Sequence, residues 1–414
     1  MAVMTSIREV PRESWKALFA GQVGWMLDAM DFMLFTFALR AIQNEFALAS
    51  GTMGLLFTVA LVAGAVGGIF FGRLADAIGR VRALMWSMII YAGATAGLAT
   101  SSTIWHLVFW RIIVGLGMGG EWSCGSVLVA ETWPAKHRAK AIGFMQSGWA
   151  IGALAAAGLS ALILEPLGWR VLFLVGAFPA VVAVFIRRTV AEPEIWREER
   201  KSGNRTEPLL ELFSPRLVRR TFFASLLAAA VLVAYWGLFS WLPSFLATPV
   251  EDGGAGMTLT RSAAWMIVVQ IGAFLGYVSF GWFADRFGRR PAFTFFMIAA
   301  SIVVPIYANA PNERVLLLIG PLVGFFGSGY FSLFGAFLAE LFPTSVRGSA
   351  QGFCYNVGRL ASAAAPWLIG LAADSKGLAL GLTVNAMFFA VAAVVIWALP
   401  ETRGTDLHET GVGS

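Results

Sequence analysis

Two aspartates lie in the middle of an apolar stretch near the N-terminus, GWMLDAMDFMLFTFAL, residues 24–39. A carboxylate at the centre of a membrane helix costs about 2.5 to 3.5 kcal/mol on insertion scales, so both need a compensating role. Asp28 and Asp31 are three residues apart and therefore share one helix face, where both can point into a cavity. Two adjacent carboxyls of this kind suit a group that binds and releases a proton. The plainer alternative is a structural hydrogen bond to a neighbouring helix.

A second pair of charged residues, Arg111 and Glu121, lies in another apolar stretch. The two are about 15 Å apart along a helix axis, which is too far for direct pairing. Glu121 falls near the middle of its stretch, as the two aspartates do. We therefore predict that Asp28, Asp31 and Glu121 supply the proton-coupling site. Arg111 could modulate their protonation, and static packing is the alternative role for it.

Near the C-terminus, Tyr355, Asn356 and Arg359 fall within one apolar stretch at spacings of three and four residues, so all three can face one cavity. An intramembrane guanidinium is a natural partner for an anion, since its planar fork can bind both oxygens of a carboxylate. We therefore predict that Arg359 binds an anionic substrate, with Tyr355 and Asn356 beside it. The alternative is a permanent salt bridge between Arg359 and one of the acids.

Four further side chains inside apolar stretches are weaker candidates for substrate contact: Gln146, Trp149, Gln270 and Tyr330. A buried amide needs hydrogen-bond partners, which either a substrate or a neighbouring helix can supply. The sequence has no zinc-ligand spacing, no Ser, His and Asp set on one membrane face, and no phosphate-binding loop with a lysine. We therefore expect no enzyme, no metal site and no cofactor.

The composition indicates that these residues belong to a membrane protein. Hydrophobic residues make up 58% of the 414 positions and charged residues only 13%, against about a quarter charged in soluble domains. Apolar runs recur at the length of a membrane-spanning helix. We predict twelve helical spans at 17–40, 50–72, 83–101, 105–130, 139–163, 168–186, 221–246, 262–283, 291–309, 314–339, 348–372 and 378–399.

The distribution of basic residues predicts the orientation. If the N-terminus is cytoplasmic, five of the 30 Lys and Arg residues fall in outer loops, two fall within spans and 23 lie on the inner side. Both termini are then cytoplasmic by the positive-inside rule, and no cleavable signal peptide precedes the first span. The basic residues are scattered over several loops, so the net charge of +6 needs no nucleic-acid partner.

An internal repeat divides the chain. The segment GRLADAIGRVR from Gly72 recurs as GWFADRFGRRP from Gly281, and ETWPAKHRA from Glu131 recurs as ELFPTSVRG from Glu340, both at an offset of 209 residues. Two motifs at one offset indicate a duplicated half. We predict an N-terminal six-helix bundle at 1–186, a cytoplasmic linker at 187–220 and a C-terminal bundle with a short tail at 221–414, with the substrate route between the bundles.

These motifs resemble those of the major facilitator superfamily of transporters: G-x-x-x-D-x-x-G-R follows the second and eighth spans, and RIIVGLGMGGEW, with Arg111, lies in the fourth. The resemblance covers nearly the whole chain. It implies an all-α integral membrane protein with twelve transmembrane helices in two six-helix bundles. Asp and Arg of each motif can pair across helix ends, in contacts that re-form as the halves rock. We predict a gating role for both copies, which are Gly72, Asp76, Gly79 and Arg80, and Gly281, Asp285, Gly288 and Arg289.

Within the superfamily, LDAMDF, GMGGEW and YNVGR are similar to the branch of sialate and lactate proton symporters. Sialate members of that branch carry extra spans in mid-chain, whereas the linker here is short and polar, so the resemblance points to a smaller monocarboxylate such as lactate or pyruvate. We predict a monomeric proton-coupled symporter that imports such an anion across a bacterial cytoplasmic membrane.

Several alternatives remain open at this point. Related branches carry aromatic acids, dicarboxylates or sialic acid with protons, and a proton-driven exporter is a further possibility. A membrane sensor is disfavoured, because the tail after Pro400 has only 14 residues and the linker is short, which leaves no room for a signalling domain.

Overall fold

A computed structural model describes residues 10–47, 50–201, 209–257, 259–310, 312–363, 365 and 377–405. Within these ranges all regular secondary structure is helical. The first part of the chain forms α1 (Arg12–Glu45), α2 (Ser50–Ile78), α3 (Arg80–Leu98), α4 (Ile104–Thr132), α5 (Arg138–Val175), α6 (Phe178–Thr189) and α7 (Glu194–Lys201). The second forms α8 (Val218–Ala247), α9 (Leu259–Phe287), α10 (Arg289–Ala308), α11 (Glu313–Ser328), α12 (Phe331–Leu341), α13 (Arg347–Ser362), α14 (Leu378–Asn385) and α15 (Met387–Val395). Short 3₁₀ turns lie at Leu209–Phe213, Val250–Asp252 and Ile396–Ala398.

Nine helical segments among the described residues are long and apolar enough to cross a membrane. They are Thr58–Ile78, Arg80–Leu98, Ile104–Thr132, Arg138–Leu164, Val218–Leu242, Trp265–Phe287, Arg289–Ala308, Glu313–Leu341 and Leu378–Ala398. Three further segments complete six spans in each half: α1, the pair formed by Pro166–Val175 and α6, and α13. Asp28 and Asp31 lower the mean hydropathy of α1.

The helix boundaries differ from the predicted spans at two places, in α5 and between α11 and α12. The predicted fifth and sixth spans share α5, which bends at Gly168, where φ is 80°, a value that glycine adopts without steric cost. The predicted tenth span is divided between α11 and α12 at Gly329 and Tyr330. The end of the predicted eleventh span and residues 202–208 of the predicted linker lie outside the described residues.

The N-terminal half, α1–α6, and the C-terminal half, α8–α15, meet along helices that carry the repeated motifs. Helix α2 packs on α13, and α5 packs on α9. Glycines permit the closest approach, since a Cβ at Gly72 would collide with the carbonyl of Gly348, and one at Gly68 with the side chain of Asn356. We call the end of the molecule with Asp76 and Asp285 the motif end. The two halves are therefore in direct contact in the region between the central cavity and the motif end.

Candidate functional site

A cavity of about 740 Å³, including the part open to solvent, lies between the two halves. Helices α1, α2, α4 and α5 of one half and α8, α9, α12 and α13 of the other supply its walls. Eight of the seventeen residues that line it are aromatic, namely Trp25, Phe32, Trp149, Tyr235, Trp236, Tyr277, Phe331 and Tyr355. The polar groups on the wall include Asp28, Arg111, Gln146 and Arg359. Such a cavity can hold a flat apolar body and fix it through a few charges.

Arg359 reaches from the C-terminal half toward the N-terminal half. A Cβ placed on Gly64 of α2 would lie 3.2 Å from its Nη1 atom, so only a glycine leaves the guanidinium its present position. The Cζ atom lies 5.4 Å from the ring centroid of Tyr355. Arg359 interacts electrostatically with the carboxyl of Asp28. Among the described residues, however, no carboxylate oxygen lies within 4.0 Å of the Arg359 nitrogens. The guanidinium is therefore placed to receive an anion from the cavity.

An aromatic stack joins the two halves beside the cavity. The rings of Trp122 on α4 and Tyr355 on α13 are 3.8 Å apart between centroids and inclined by 21°. The indole Nε1 of Trp122 donates a hydrogen bond of 3.0 Å to Oε1 of Gln146 on α5. This fixes the orientation of the Gln146 amide, whose nitrogen remains available at the cavity wall.

The three predicted acids are all buried in the N-terminal half, with relative exposures of 3% for Asp28, 2% for Asp31 and 1% for Glu121. Only Asp28 lines the cavity. One oxygen of each aspartate and both oxygens of Glu121 have no hydrogen-bond partner among the described residues. Glu121 faces α1 at Gly24, where any Cβ would collide with the carboxylate. An ionised carboxylate without donors is costly at such a site, whereas the protonated form carries no charge to desolvate.

The two cavity arginines interact electrostatically with different aspartates. Asp31 interacts with Arg111, and its Oδ1 lies 3.3 Å from where a Cβ would stand on Gly176. Arg111 lines the cavity and its Cζ lies 3.9 Å from the ring centroid of Phe35. Asp28 interacts with Arg359, and also with Asp31 and Glu121. The three acids are therefore linked to one another through Asp28.

Three predicted substrate contacts lie away from the cavity wall. Asn356 is fully buried, its Nδ2 donates 2.8 Å to the carbonyl of Gly352, and its side chain packs on α2. Tyr330 is fully buried and stacks on Phe331, with ring centroids 4.9 Å apart. Gln270 is half-buried on α9. Of the seven predicted substrate residues, the structure brings four together at the wall, namely Gln146, Trp149, Tyr355 and Arg359.

Most of the aromatic wall was not predicted from the sequence. The chain has only six tyrosines, and three of them line the cavity, Tyr235, Tyr277 and Tyr355. Their rarity within apolar spans was a usable signal. The wall tryptophans Trp25 and Trp236 gave no such signal, because 16 tryptophans occur in the chain and most membrane tryptophans serve packing or the interface.

At the motif end, buried ion pairs interlock the two halves. Glu131 accepts two hydrogen bonds from Arg80 of its own half, at 2.9 and 2.8 Å, and one of 2.7 Å from Arg347 of the other half. The repeat produces the equivalent arrangement around Glu340. Glu340 accepts bonds of 3.2 and 3.0 Å from Arg289 and one of 2.9 Å from Arg138 across the interface. Each pair of equivalents differs by 209 residues, so the interlock has the two-fold character of the duplication.

The two motif aspartates differ in their contacts. Asp76 accepts hydrogen bonds from the amides of Gly348 and Ser349, at 3.0 and 2.7 Å, and from the hydroxyl of Ser349 at 2.8 Å, all at the N-terminus of α13 in the other half. Each aspartate also pairs with the arginine four residues later in its own half, Asp76 with Arg80 at 3.1 Å and Asp285 with Arg289 at 2.7 Å. Of the two aspartates, only Asp76 therefore adds hydrogen bonds between the halves to those of Glu131 and Glu340.

Two glutamates extend the repeat beyond the motifs that the sequence revealed. Glu192 accepts bonds of 3.0 and 3.1 Å from the first amides of α3, and Glu401, 209 residues later, accepts bonds of 2.8 and 3.0 Å from the first amides of α10. Gly79 and Gly288 precede these helices with φ of 113° and 104°, and a Cβ on Gly79 would collide with Glu192. These glutamates were identifiable from the 209-residue offset alone.

One titratable group at the motif end has no equivalent in the other half. His137 precedes Arg138, where the repeat has Val346. Both ring nitrogens are buried and have no hydrogen-bond partner among the described residues. Burial lowers the pKa of His137, and the charges of Lys140 and Lys136 lower it further. The imidazole is therefore held neutral beside the cross-half arginine.

A sequence model of the Major Facilitator Superfamily matches residues 23–279 and 253–414. The cis,cis-muconate transport protein of Acinetobacter baylyi (strain ATCC 33305 / BD413 / ADP1) is 31% identical to this chain over 392 residues, which cover 92% of this chain and 93% of the relative. The sialic acid transporter NanX of Escherichia coli (strain K12) is 30% identical over 383 residues, again 92% and 93% of the two chains. The family predicted from the motifs is confirmed.

A solved structure shares the fold. The proton:xylose symporter XylE bound to 6-bromo-6-deoxy-D-glucose superposes with a TM-score of 0.80 and covers 96% of this chain and 98% of its own. The identity is 18%, so the likeness concerns the fold alone. It confirms the predicted architecture of twelve helices in two bundles.

Proposed function

We infer the function from the premise that this chain belongs to the Major Facilitator Superfamily and is a multi-pass membrane transporter. On this premise we propose that it is a secondary active symporter, which moves a small organic carboxylate together with a proton by alternating access. A single chain suffices, since one chain supplies all the helices that line the cavity.

The observation that carries the proposal is the position of Arg359 at an aromatic wall. A guanidinium can bind both oxygens of a carboxylate through two parallel hydrogen bonds. No described carboxylate lies within 4.0 Å of it, which favours an incoming anion over a permanent salt bridge. Gly64 supports the same role, because it leaves room for the guanidinium between the halves.

The cavity favours an acid with a flat unsaturated or aromatic body. Eight aromatic rings line it, and stacking on such rings stabilises planar substrates more than small aliphatic ones. One relative is named for cis,cis-muconate, an unsaturated acid, and another for sialic acid. Lactate or pyruvate is the second candidate. It is favoured by charge arithmetic, since a monocarboxylate moving with one proton is electroneutral.

The unequal distribution of charged residues between the halves supports separate sites for the proton and the substrate. At the 209-residue offset, Asp28, Asp31 and Glu121 correspond to the uncharged Gly237, Ser240 and Tyr330, while Arg359 corresponds to Ala150. The N-terminal half therefore has the carboxyls that can carry a proton, and the C-terminal half has the cation for the substrate. Binding of the anion at Arg359 and protonation at Asp28 act on the same cavity, which is the requirement for coupling.

We further propose that the motif end faces the cytoplasm, since the basic residues concentrate on that side. The interlocked motif end then corresponds to the outward-facing state. In a bacterial cytoplasmic membrane, the inward proton gradient would drive import.

Binding to Arg359 variants tests the anion site. Purified protein is titrated with cis,cis-muconate, benzoate and lactate, and with the methyl ester of benzoate as an uncharged analogue. Losing a two-bond contact to a carboxylate removes about 3 kcal/mol, so we expect Arg359→Ala to weaken binding of the preferred acid about 100-fold. Arg359→Lys keeps the charge and should bind with intermediate affinity.

Arg314 supplies the matched control, because it is an exposed arginine at the start of α11. Arg314→Ala should bind the acid as the unaltered protein does, and no variant should bind the ester tightly. Equal affinity for the acid in the Arg359→Ala and Arg314→Ala proteins would remove Arg359 from the substrate site.

A further inference from the structure

Successive turns of α4 and α13 meet across the interface in three different contacts. The rings of Trp122 and Tyr355 stack at 3.8 Å. One turn closer to the motif end, the hydroxyl of Ser126 donates a hydrogen bond of 2.6 Å to Oε1 of Gln351. A further turn away, Arg347 donates its bond of 2.7 Å to Glu131. We call this series the cross-half ladder.

The ladder follows one face of α13, because its members there recur every four residues, as Arg347, Gln351, Tyr355 and then Arg359. Arg359 lies at the cavity wall and Arg347 at the motif end. Tyr355 and Gln351 lie between them on this face, and each contacts α4. The face thus joins the proposed substrate site to the closed end through direct contacts.

The contact between Ser126 and Gln351 is enclosed by other helices. Ser126 and Gln351 are both fully buried. The amide Nε2 of Gln351 donates a second bond, of 2.9 Å, to the carbonyl of Gly335 on α12. A Cβ on Gly335 would lie 3.0 Å from the Cβ of Ser126 and 3.0 Å from Cγ2 of Ile142 on α5. Four helices from both halves therefore converge on the Gln351 amide.

We propose that Ser126 and Gln351 are gating residues, whose hydrogen bond holds the motif end closed beneath the substrate cavity. Without this bond, the ladder would consist of an aromatic stack and an ion pair that faces water once the motif end loosens. Opening breaks the bond between Ser126 and Gln351 and leaves Oε1 of Gln351 without a donor until water enters, whereas the Ser126 hydroxyl can turn to the carbonyl of Ser123 at 3.2 Å. The proposal rests on the transport function, since only a transporter must open this end.

The ratio of open to closed motif ends is the measurement. Spin labels on Arg82→Cys and Arg286→Cys report the distance between the halves, because both side chains are exposed at the motif end and belong to different halves. The two native cysteines are buried and are replaced by alanine in the parent protein. Pulsed electron paramagnetic resonance then gives the populations of short and long distances without any substrate.

Removing one neutral hydrogen bond across the gate should raise the open-to-closed ratio about 2- to 12-fold in Ser126→Ala. Gln351→Leu loses the same cross-half bond and should raise the ratio by a similar factor, because its second bond, to Gly335, lies within the C-terminal half and persists in both states. In the double variant the increase should fall short of the product of the single increases, because the two residues share one contact. Ser123→Ala is the control. Its hydroxyl is buried on α4 and has no partner among the described residues, so the ratio should not change.

A merely structural role would lower the melting temperature without moving the ratio, so thermal unfolding is recorded beside it. Ratios in Ser126→Ala and Gln351→Leu that match Ser123→Ala would overturn the proposal. If Gln351→Leu does not fold, Ser126→Ala decides alone. The measurement uses no ligand, so its failure would leave the Arg359 binding test unaffected, and failure of that test would leave this one standing.

Discussion

The two motif aspartates provide a sharp test of gating, because the repeat makes them equivalent while the structure gives them different partners. Asp76 accepts three hydrogen bonds from the first turn of α13 in the other half. Asp285 pairs with Arg289 of its own half at 2.7 Å. Opening the motif end must break the bonds of Asp76 and need not disturb the pair of Asp285. We therefore expect Asp76→Asn to favour the open state and Asp285→Asn to leave the balance nearly unchanged.

The magnitude follows from the contacts. Asparagine keeps one acceptor oxygen at position 76. In the place of Oδ2 this oxygen retains both bonds from Ser349 without the charge, whereas the amide nitrogen in the place of Oδ1 cannot accept the bond from the Gly348 amide. At about 1 to 2 kcal/mol for the lost bond and about 0.5 to 1 kcal/mol for each bond that loses its charge, the closed state loses roughly 2 to 4 kcal/mol relative to the open one. This corresponds to an increase of about 30- to 700-fold in the open-to-closed ratio. For Asp285→Asn, whose main contact persists in both states, the change should stay below about threefold.

The label pair at Arg82 and Arg286 measures both variants in one background. The closed state of Asp76→Asn should bind the preferred acid with the same affinity as the closed state of the unaltered protein, because Asp76 does not line the cavity. The measured affinity should differ only by the change in the fraction of closed molecules. An equal shift in the two variants would show that the asymmetry of contacts has no part in gating. A shift only in Asp285→Asn would reverse the assignment.

Three further predictions concern other parts of the molecule. Among Asp28→Asn, Asp31→Asn and Glu121→Gln, we expect the variant that removes the proton site to lose gradient-driven accumulation and to retain substrate exchange, measured by counterflow; accumulation at the original level with unchanged pH dependence in all three would move proton coupling elsewhere. Gly64→Ala should give an affinity between those of the unaltered protein and Arg359→Ala, because a Cβ 3.2 Å from Nη1 displaces the guanidinium; unchanged affinity in a titration would contradict this. The lowered pKa of His137 means that the folded protein binds fewer protons than the unfolded chain, so the unaltered protein should lose stability as the pH falls from about 6.5; His137→Val should flatten that part of the profile of melting temperature against pH, and superimposable profiles would refute it.

The fold was predictable because membrane helices leave a long, periodic signal. Composition, span length and the repeated motifs were enough for twelve helices in two halves and for the family. The predicted boundary between the fifth and sixth spans lies at the bend at Gly168, whereas the interruption between α5 and α6 and the division at Gly329 were not predicted, since apolar content does not reveal where a span is interrupted. The orientation of the termini remains a prediction that rests on the basic residues.

The site was predictable only where a residue type is unusual in a membrane. Arg359 and Asp28 carry charge in apolar spans, and both lie at the cavity wall. Asn356 is on the same helix as Arg359 but faces α2, because it lies about 100° around the helix axis from the adjacent Tyr355, which lines the cavity. The cross-half contacts of Gln351 could not be anticipated from spacing, since they depend on how two halves dock rather than on either half alone.

Proton movement during substrate uptake tests the central claim most directly. Proteoliposomes containing the protein are placed in weakly buffered medium with a pH indicator outside, and cis,cis-muconate, benzoate or lactate is added while labelled acid uptake is recorded. The account predicts that the transported acid enters together with protons, so that the external medium becomes alkaline in step with uptake and that both signals disappear in Arg359→Ala. Uptake of the acid without any change in external pH, or alkalinisation that persists in Arg359→Ala, would contradict it.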